Sequence, residues 1–206
     1  MNPNQLYQWV QDVSKQWQGV TRHFRENVRV FSQAVVRAQS SQIRTIAGAA
    51  GGRADSQRRR LQRFVQQPQP LNRFFTSWTT SVVAALKPQD IVLVVDETKL
   101  KAHFGVMVVG IVYEGRCIPL AWRVYRANRA DAYPPEGQSR LIIRLFKQIR
   151  AGLPPDVKVR ILADRGIGSS PLLMRGIIAL GWTFLFRVTK QSKIVLSDQT
   201  AVTFYD

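Results

Sequence analysis

Apolar residues in the first 85 positions follow the spacing that is typical of helices. They recur every three or four residues from Leu6 to Val35, which places them on one helical face, interrupted by Gly19. This pattern predicts one helix or a pair of helices that face a core. Another amphipathic helix is predicted from Leu71 to Ala85, after a stop at residues 68–70.

The segment 41–66 predicts two short helices joined by a glycine turn. The first helix ends at Gly51-Gly52, and Asp55 is the expected N-cap of the second. The predicted buried residues of the second helix are Leu61, Phe64 and Val65. Its predicted exposed residues are four arginines: Arg58, Arg59, Arg60 and Arg63. The outline is that of a helix-turn-helix DNA reader, although such a charge run is also typical of a solvated helix face.

From residue 87 onward the pattern predicts strands. A continuous apolar run from Ile91 to Val95 predicts a buried strand that ends at Asp96. Two further strands, over about 105–113 and 117–125, are expected to form a hairpin around Glu114-Gly115.

Helices and strands alternate after that hairpin. A helix is predicted around 141–149, followed by a fourth strand that ends at Asp164. A loop from Arg165 to Pro171, with Ser169 or Ser170 as the cap, leads into a second helix, and residues 182–188 predict a fifth strand. The order β-β-β-α-β-α-β predicts an α/β fold with one mixed sheet, preceded by an all-helical region.

Two carboxylates follow apolar strands in this order. If the first and fourth strands are parallel neighbours, Asp96 and Asp164 meet at the carboxyl edge of the sheet, where α/β proteins place ligands. Two close carboxylates repel unless a cation lies between them, and Mg²⁺ prefers such oxygen ligands. The alternative is that each Asp is only a turn residue or a helix cap. Glu97 is a weaker candidate because adjacent strand residues point to opposite faces.

The charge narrows the classes of partner. The 206 residues include 30 Lys and Arg against 13 Asp and Glu, a net charge of +17, and 22 of the basic residues are Arg. This surplus favours nucleic acid or an acidic membrane surface, although solubility alone is an alternative. Hydrophobic residues make up 45% of the chain, which is enough for a core.

Other chemistry is restricted by what the chain contains. With one cysteine and two histidines, no disulfide within the chain and no Cys/His zinc site are expected. Cys117 is expected to be a small buried residue. No apolar run is long enough to span a membrane and no signal-peptide core is present, so we expect a cytoplasmic protein without a membrane partner.

Three motifs resemble the catalytic core of a bacterial cut-and-paste transposase of the insertion-sequence family four type. They are the Asp-Glu-Thr after the first apolar run, the Gly-Arg-x-Ile-Pro-Leu-x-Trp hairpin, and Asp-Arg-Gly followed by a helix and a strand that ends in Arg187. The resemblance covers about residues 88–190. It implies a DDE acid triad on a ribonuclease H-like sheet and a bacterial, nucleoid-associated protein.

Carried over residue by residue, the resemblance makes Asp96 and Asp164 the first two catalytic acids. It implies that both bind two Mg²⁺ or Mn²⁺ ions for cleavage and transfer of DNA strands at transposon ends. The DNA-binding candidates are Arg58, Arg59, Arg60, Arg63 and Arg165. The expected partners are double-stranded DNA and a second copy of the chain on that DNA.

The family's third acid, a Glu on a helix beyond the fifth strand, has no counterpart among these 206 residues. We therefore expect a truncated copy with little strand transfer on its own. The expected division is a helical DNA-binding region at 1–86, an incomplete catalytic core at 87–190 and the start of a β-rich insertion at 191–206. The alternatives are a non-catalytic DNA-binding fragment that inhibits transposition and a ribonuclease H-like nuclease.

Overall fold

The computed structural model describes residues 3–15, 17, 19–66, 71–88, 90–100, 103–126, 134–168, 170–187, 193–195 and 201–203. The predicted stop at 68–70 and the alternative cap Ser169 lie outside these residues. The chain divides into two compact units, Met1–Ser81 and Val82–Asp206. This division falls inside a helix, a little before the boundary at 86/87 that the sequence suggests.

The regular secondary structure described in the first unit is helical. The helices are α1 (Pro3–Lys15), α2 (Arg22–Ala38), α3 (Ile43–Ala49), α4 (Ala54–Gln66) and α5 (Leu71–Leu86), the last of which continues into the second unit. Of the two predicted alternatives, one helix or a pair, the structure has two separate helices, α1 and α2. Thr21 begins α2 as its N-cap, because its Oγ1 accepts a hydrogen bond from the Phe24 amide at 3.1 Å.

Two apolar clusters form the core of the first unit, and Phe64 of α4 packs against both. One cluster is centred on Phe31 and Leu61, and the other on Trp17 and Phe24. The prediction that Val65 is buried is wrong, since this side chain is 57% exposed. Phe64 faces both clusters, and the next residue of a helix is rotated by about 100° from it, so Val65 faces outward.

The second unit contains a mixed sheet and the helices that accompany it. The strands are β1 (Asp90–Leu100), β2 (Phe104–Tyr113), β3 (Arg116–Arg126), β4 (Lys158–Ala163) and β5 (Thr183–Phe186). The helices are α6 (Gly137–Arg150), the short α7 (Arg165–Gly168) and α8 (Pro171–Ala179). Within the predicted insertion, β6 (Lys193–Val195) and β7 (Ala201–Thr203) form an antiparallel ribbon.

The five strands are arranged in the order β3-β2-β1-β4-β5. β2 is antiparallel to both of its neighbours, whereas β1, β4 and β5 run in parallel. The predicted mixed α/β sheet and the parallel pairing of the first and fourth strands are therefore confirmed. The predicted hairpin is also present, because Glu114 and Gly115 both have positive φ angles, 47° and 72°, as a tight β2–β3 turn requires.

The first strand is longer than predicted. β1 does not end at Asp96 but continues to Leu100, because β2 pairs with it as far as Leu100↔Phe104. The parallel partner β4 stops earlier, at Val95↔Ala163. Residues 96–100 thus form an overhang of β1 that the described part of β4 does not accompany.

The core of the second unit is apolar. Ile91, Leu93 and Val95 of β1 are each at most 2% exposed, and they alternate with residues that are half-buried or exposed. The helices complete this core, as shown by the edge-to-face contact of Phe146 in α6 with Trp182 at 5.5 Å between ring centroids. Among the described residues, no helix combines the length and hydropathy that crossing a membrane requires.

Candidate functional site

The pairing of β1 with β4 brings the two predicted catalytic acids to equivalent positions. Val95 and Ala163 form the last pair of this parallel ladder, and Asp96 and Asp164 are the next residue on each strand. Adjacent strands lie about 4.8 Å apart. The sheet therefore holds the two acids on neighbouring chain segments at its carboxyl edge, and both side chains are exposed.

Asp164 is positioned by the turn that follows β4. Its Oδ1 accepts a hydrogen bond from the Ile167 amide at 3.1 Å, and the Gly168 amide donates to its backbone carbonyl at 2.8 Å. These bonds form the short helix α7, so the predicted loop from Arg165 to Pro171 is partly helical. Arg165, the next residue along the chain, is exposed in α7. Asp164 is therefore a helix cap, which was the alternative to a functional role. The cap uses only its Oδ1.

Asp96 and Glu97 project to opposite sides of β1, as the alternation of a strand requires. The Asp96 carboxylate influences the Cys117 thiol of β3, whose pKa is raised mainly by burial and secondarily by the Asp96 charge. The prediction that Cys117 is buried is wrong, since the residue is exposed. Cys117 lies near the start of β3, an end strand of the sheet, just after the tight β2–β3 turn. Only part of its side chain is covered there.

The donor set is compatible with a hard divalent cation. The exposed Asp96 carboxylate forms no hydrogen bond or ion pair with any other residue that the structure describes. No group of three or more His, Cys, Asp and Glu side chains in this part of the chain is placed to hold a metal. Mg²⁺ commonly takes one or two carboxylates and completes its shell with water and phosphate oxygens, so two acids fit this ion.

A groove of about 240 Å³ lies at the other end of these strands. Its lining includes Asp90, Lys158, Arg160 and Thr183. Because it adjoins the amino-terminal ends of β1 and β4, it is separate from the acid pair.

The arginine-rich helix α4 is less uniformly exposed than predicted. Arg59 and Arg63 are exposed, and the Arg58 side chain is 37% exposed. The prediction that Arg60 is exposed is wrong, because this residue is half-buried and its Nε donates a hydrogen bond to Asn27 Oδ1 at 2.7 Å. Asn27 of α2 is itself 1% exposed, and its Nδ2 lies 3.0 Å from His23 Nε2.

The start of α4 also differs from the prediction. The helix begins at Ala54, so Asp55 lies in its first turn instead of capping it, and forms an ion pair with Arg58 at 3.6 Å. The Arg53 carbonyl accepts the first helical bond, from the Gln57 amide. Arg58 shares a cavity of about 270 Å³ with Arg44 of α3. The sequence analysis did not identify Arg44 as a DNA-binding candidate. Its position on α3, next to the arginine-rich α4, could have indicated it.

A second cluster was also missed. Glu97 on β1 accepts hydrogen bonds on both carboxylate oxygens, from the Tyr125 hydroxyl of β3 and from Gln138 Nε2 of α6, the latter at 2.6 Å. The sequence contains no local indication of it, since its members lie 28 and 41 residues from Glu97.

Comparison of the chain with models of known protein families gives no match, and no curated protein matches it significantly.

Proposed function

We propose that the chain is a transposase-type DNA-binding protein in which Asp96 and Asp164 hold a divalent cation for cleavage and transfer of DNA strands at transposon ends. The observation that carries this proposal is the parallel ladder that ends at Val95↔Ala163 with an aspartate next on each strand. In this proposal the sheet is ribonuclease H-like. The order β3-β2-β1-β4-β5 with β2 as the single antiparallel strand of the five supports that assignment.

The residues of the chain divide the work between orientation and charge. Asp96 and Asp164 bind the cation, and the Ile167 amide orients the Asp164 carboxylate from one side. When bound, a divalent cation supplies electrophilic activation of the phosphodiester. In this proposal Arg165, the exposed residue that follows Asp164, contacts a phosphate oxygen, which fits the role of arginine as a bidentate phosphate ligand.

The net charge of +17 supports a polyanionic substrate. In the first unit, the exposed Arg59 and Arg63 are the strongest candidates for contacts with the DNA backbone. Arg58 and Arg44 contribute from the cavity between α3 and α4. Arg60 has a structural role in this proposal, because its bond to Asn27 holds α4 against α2.

The cation site is tested by titrating the full chain with Mn²⁺ and following the bound ion by electron paramagnetic resonance. Asp96→Ala and Asp164→Ala are each expected to lower the Mn²⁺ affinity at least about tenfold. Asp90→Ala is the matched control, since it removes an exposed acid from the other end of β1 and is expected to leave the affinity unchanged. Equal affinities in the wild type and in Asp96→Ala would refute the proposal.

DNA binding is tested by fluorescence anisotropy with a labelled duplex across a series of salt concentrations. Arg59→Ala and Arg63→Ala are each expected to reduce the slope of log affinity against log salt by about one. Arg175→Ala, which removes an exposed arginine from α8, is the control.

Catalysis is tested by incubating supercoiled plasmid with the protein and Mn²⁺. If the plasmid is nicked and Asp96→Ala abolishes the nicking, this chain alone is catalytic. If the chain binds the cation but does not nick the plasmid, its function is limited to binding the cation and DNA.

A further inference from the structure

We infer that Glu97 is a positioning residue for Asp96, because it ties the overhang of β1 to both β3 and α6. This inference rests on the proposed cation site. It assigns a role to a carboxylate that adjoins the site but points to the opposite side of the strand.

The overhang needs such a contact because, among the residues that the structure describes, its pairing is one-sided. Residues 96–100 are all exposed, and β2 is the neighbouring strand that pairs with them. The parallel neighbour β4 ends at Ala163. A strand held along one edge can bend and twist more freely than one held along both, and Asp96 is the first residue of this overhang.

Glu97 holds the overhang from the side opposite Asp96. One carboxylate oxygen accepts from the Tyr125 hydroxyl, and the other accepts from Gln138 Nε2 at 2.6 Å. With both oxygens engaged by neutral donors, Glu97 acts as a hydrogen-bond acceptor that joins three elements. Its direction is thereby fixed, and the direction of the adjacent Asp96 follows from the alternation of the strand.

The position of Tyr125 depends on a glycine in the intervening strand. Tyr125 on β3 is paired with Gly105 on β2, and its ring crosses over this residue to reach β1. A Cβ at position 105 would lie 2.4 Å from Tyr125 Cε2, which is closer than such atoms can approach. The absence of a side chain at Gly105 is therefore what gives Tyr125 access to Glu97.

The inference is tested with variants that separate the hydrogen bonds from the charge of Glu97. Tyr125→Phe deletes one donor and keeps the carboxylate, and Gly105→Ala pushes the ring aside without altering either partner. Glu97→Gln removes the carboxylate. The double variant Glu97→Gln with Gln138→Glu exchanges the two side chains, so that an amide and a carboxylate again face each other. Asp90→Ala is the control for loss of an exposed acid from β1.

Three measurements are made on each variant of the 206-residue chain. Hydrogen exchange by mass spectrometry reports how firmly the overhang is held. Mn²⁺ titration reports whether Asp96 is correctly placed, and thermal unfolding identifies any variant with a general loss of stability. Tyr125→Phe and Gly105→Ala are expected to speed exchange in residues 96–100 and to weaken Mn²⁺ binding about tenfold, as the loss of outer-shell partners does elsewhere. The double variant Glu97→Gln with Gln138→Glu is expected to recover most of the Mn²⁺ affinity that Glu97→Gln alone loses.

The outcomes distinguish this inference from the proposed function. If the wild type binds Mn²⁺ through Asp96 and Tyr125→Phe binds it equally well with unchanged exchange, the positioning role is refuted and the cation site stands. If the wild type binds no Mn²⁺, the proposed function is refuted together with the inferred benefit to Asp96. In that case, faster hydrogen exchange in Tyr125→Phe would show that Glu97 anchors the overhang without positioning a cation ligand.

Discussion

The interiors of the two units are built from different side chains. Among the residues whose burial is described, the buried polar side chains all lie in the first unit: Ser14, Asn27, Gln33, Thr79 and Ser81. The buried side chains of the second unit are apolar, and its exposed Asp96 and Asp164 lie at the carboxyl edge of the sheet. The first unit thus uses internal polar contacts to orient an arginine-rich helix, whereas the second uses an apolar core to hold charged groups at its surface.

The largest effect is expected from the apolar core of the second unit. Ile177 and Ile178 are adjacent in α8, but they are 0% and 62% exposed. Ile177→Ala is expected to cost about 3 kcal/mol of unfolding free energy because it opens a cavity, whereas Ile178→Ala should change it by less than about 0.5 kcal/mol. Urea unfolding of the full chain measures both. Similar costs at the two positions would contradict the proposed dependence on burial.

A polar contact should matter almost as much in the first unit. Asn27→Ala is expected to cost about 2 kcal/mol, because it deprives the half-buried Arg60 of its acceptor. Arg59→Ala, on the exposed side of the same helix, should stay within about 0.5 kcal/mol while weakening DNA binding. Thermal unfolding and anisotropy titrations check the two effects. If Asn27→Ala were as mild as Arg59→Ala, the internal polar contact would not be stabilising α4.

Helix caps allow the two units to be compared through the same kind of contact. Thr21 caps α2 by accepting from the Phe24 amide, and Ser170 caps α8 by accepting from the Leu173 amide at 3.3 Å. Thr21→Ala is expected to cost about 1 kcal/mol. Ser170→Ala should cost slightly more, since Ser170 Oγ also bonds to Ser139 Oγ at 2.7 Å.

A double-mutant cycle in urea tests the additional Ser139–Ser170 contact. The coupling free energy between Ser139→Ala and Ser170→Ala is expected to be about 0.5 kcal/mol. Strict additivity of the two substitutions would show that the hydroxyl contact adds nothing to the cap.

The smallest effect concerns pH. The hydrogen bond from Arg29 is the main reason that the pKa of Glu26 is lowered, against an opposing contribution from burial. A carboxyl whose pKa is lower when folded adds stability above its unfolded pKa and loses it as the pH falls through the folded value. Because Glu26 is 43% exposed, Glu26→Gln should cost only about 0.3 kcal/mol at neutral pH. Melting temperatures of the two proteins should converge in acid, and a constant difference would contradict this assignment.

The fold was predictable where local chemistry determines it. The β2–β3 turn follows from Glu114-Gly115, and the Ser170 cap follows from a serine before Pro171. The end of β1 was mispredicted because it depends on pairing with β2, which the apolar run from Ile91 to Val95 does not reveal. Strand ends are decided by partners as well as by hydropathy.

The candidate site was predictable to the same extent. The strand order indicated that Asp96 and Asp164 follow paired positions of parallel neighbours, which share one edge of the sheet. Contacts between distant residues were not predictable. The acceptor of Arg60 lies 33 residues away, and the Gln138 that holds Glu97 lies 41 residues away, so no periodicity connects them.

The overhang of β1 has a consequence for self-association. A strand with an open edge can template the addition of a strand from another molecule, which is a route to aggregation. Here Asp96, Glu97 and Lys99 distribute charge along that edge, and an incoming strand would have to desolvate them. We therefore expect these side chains to act as gatekeepers, so that the acids proposed for chemistry and for positioning also oppose the addition of a foreign strand.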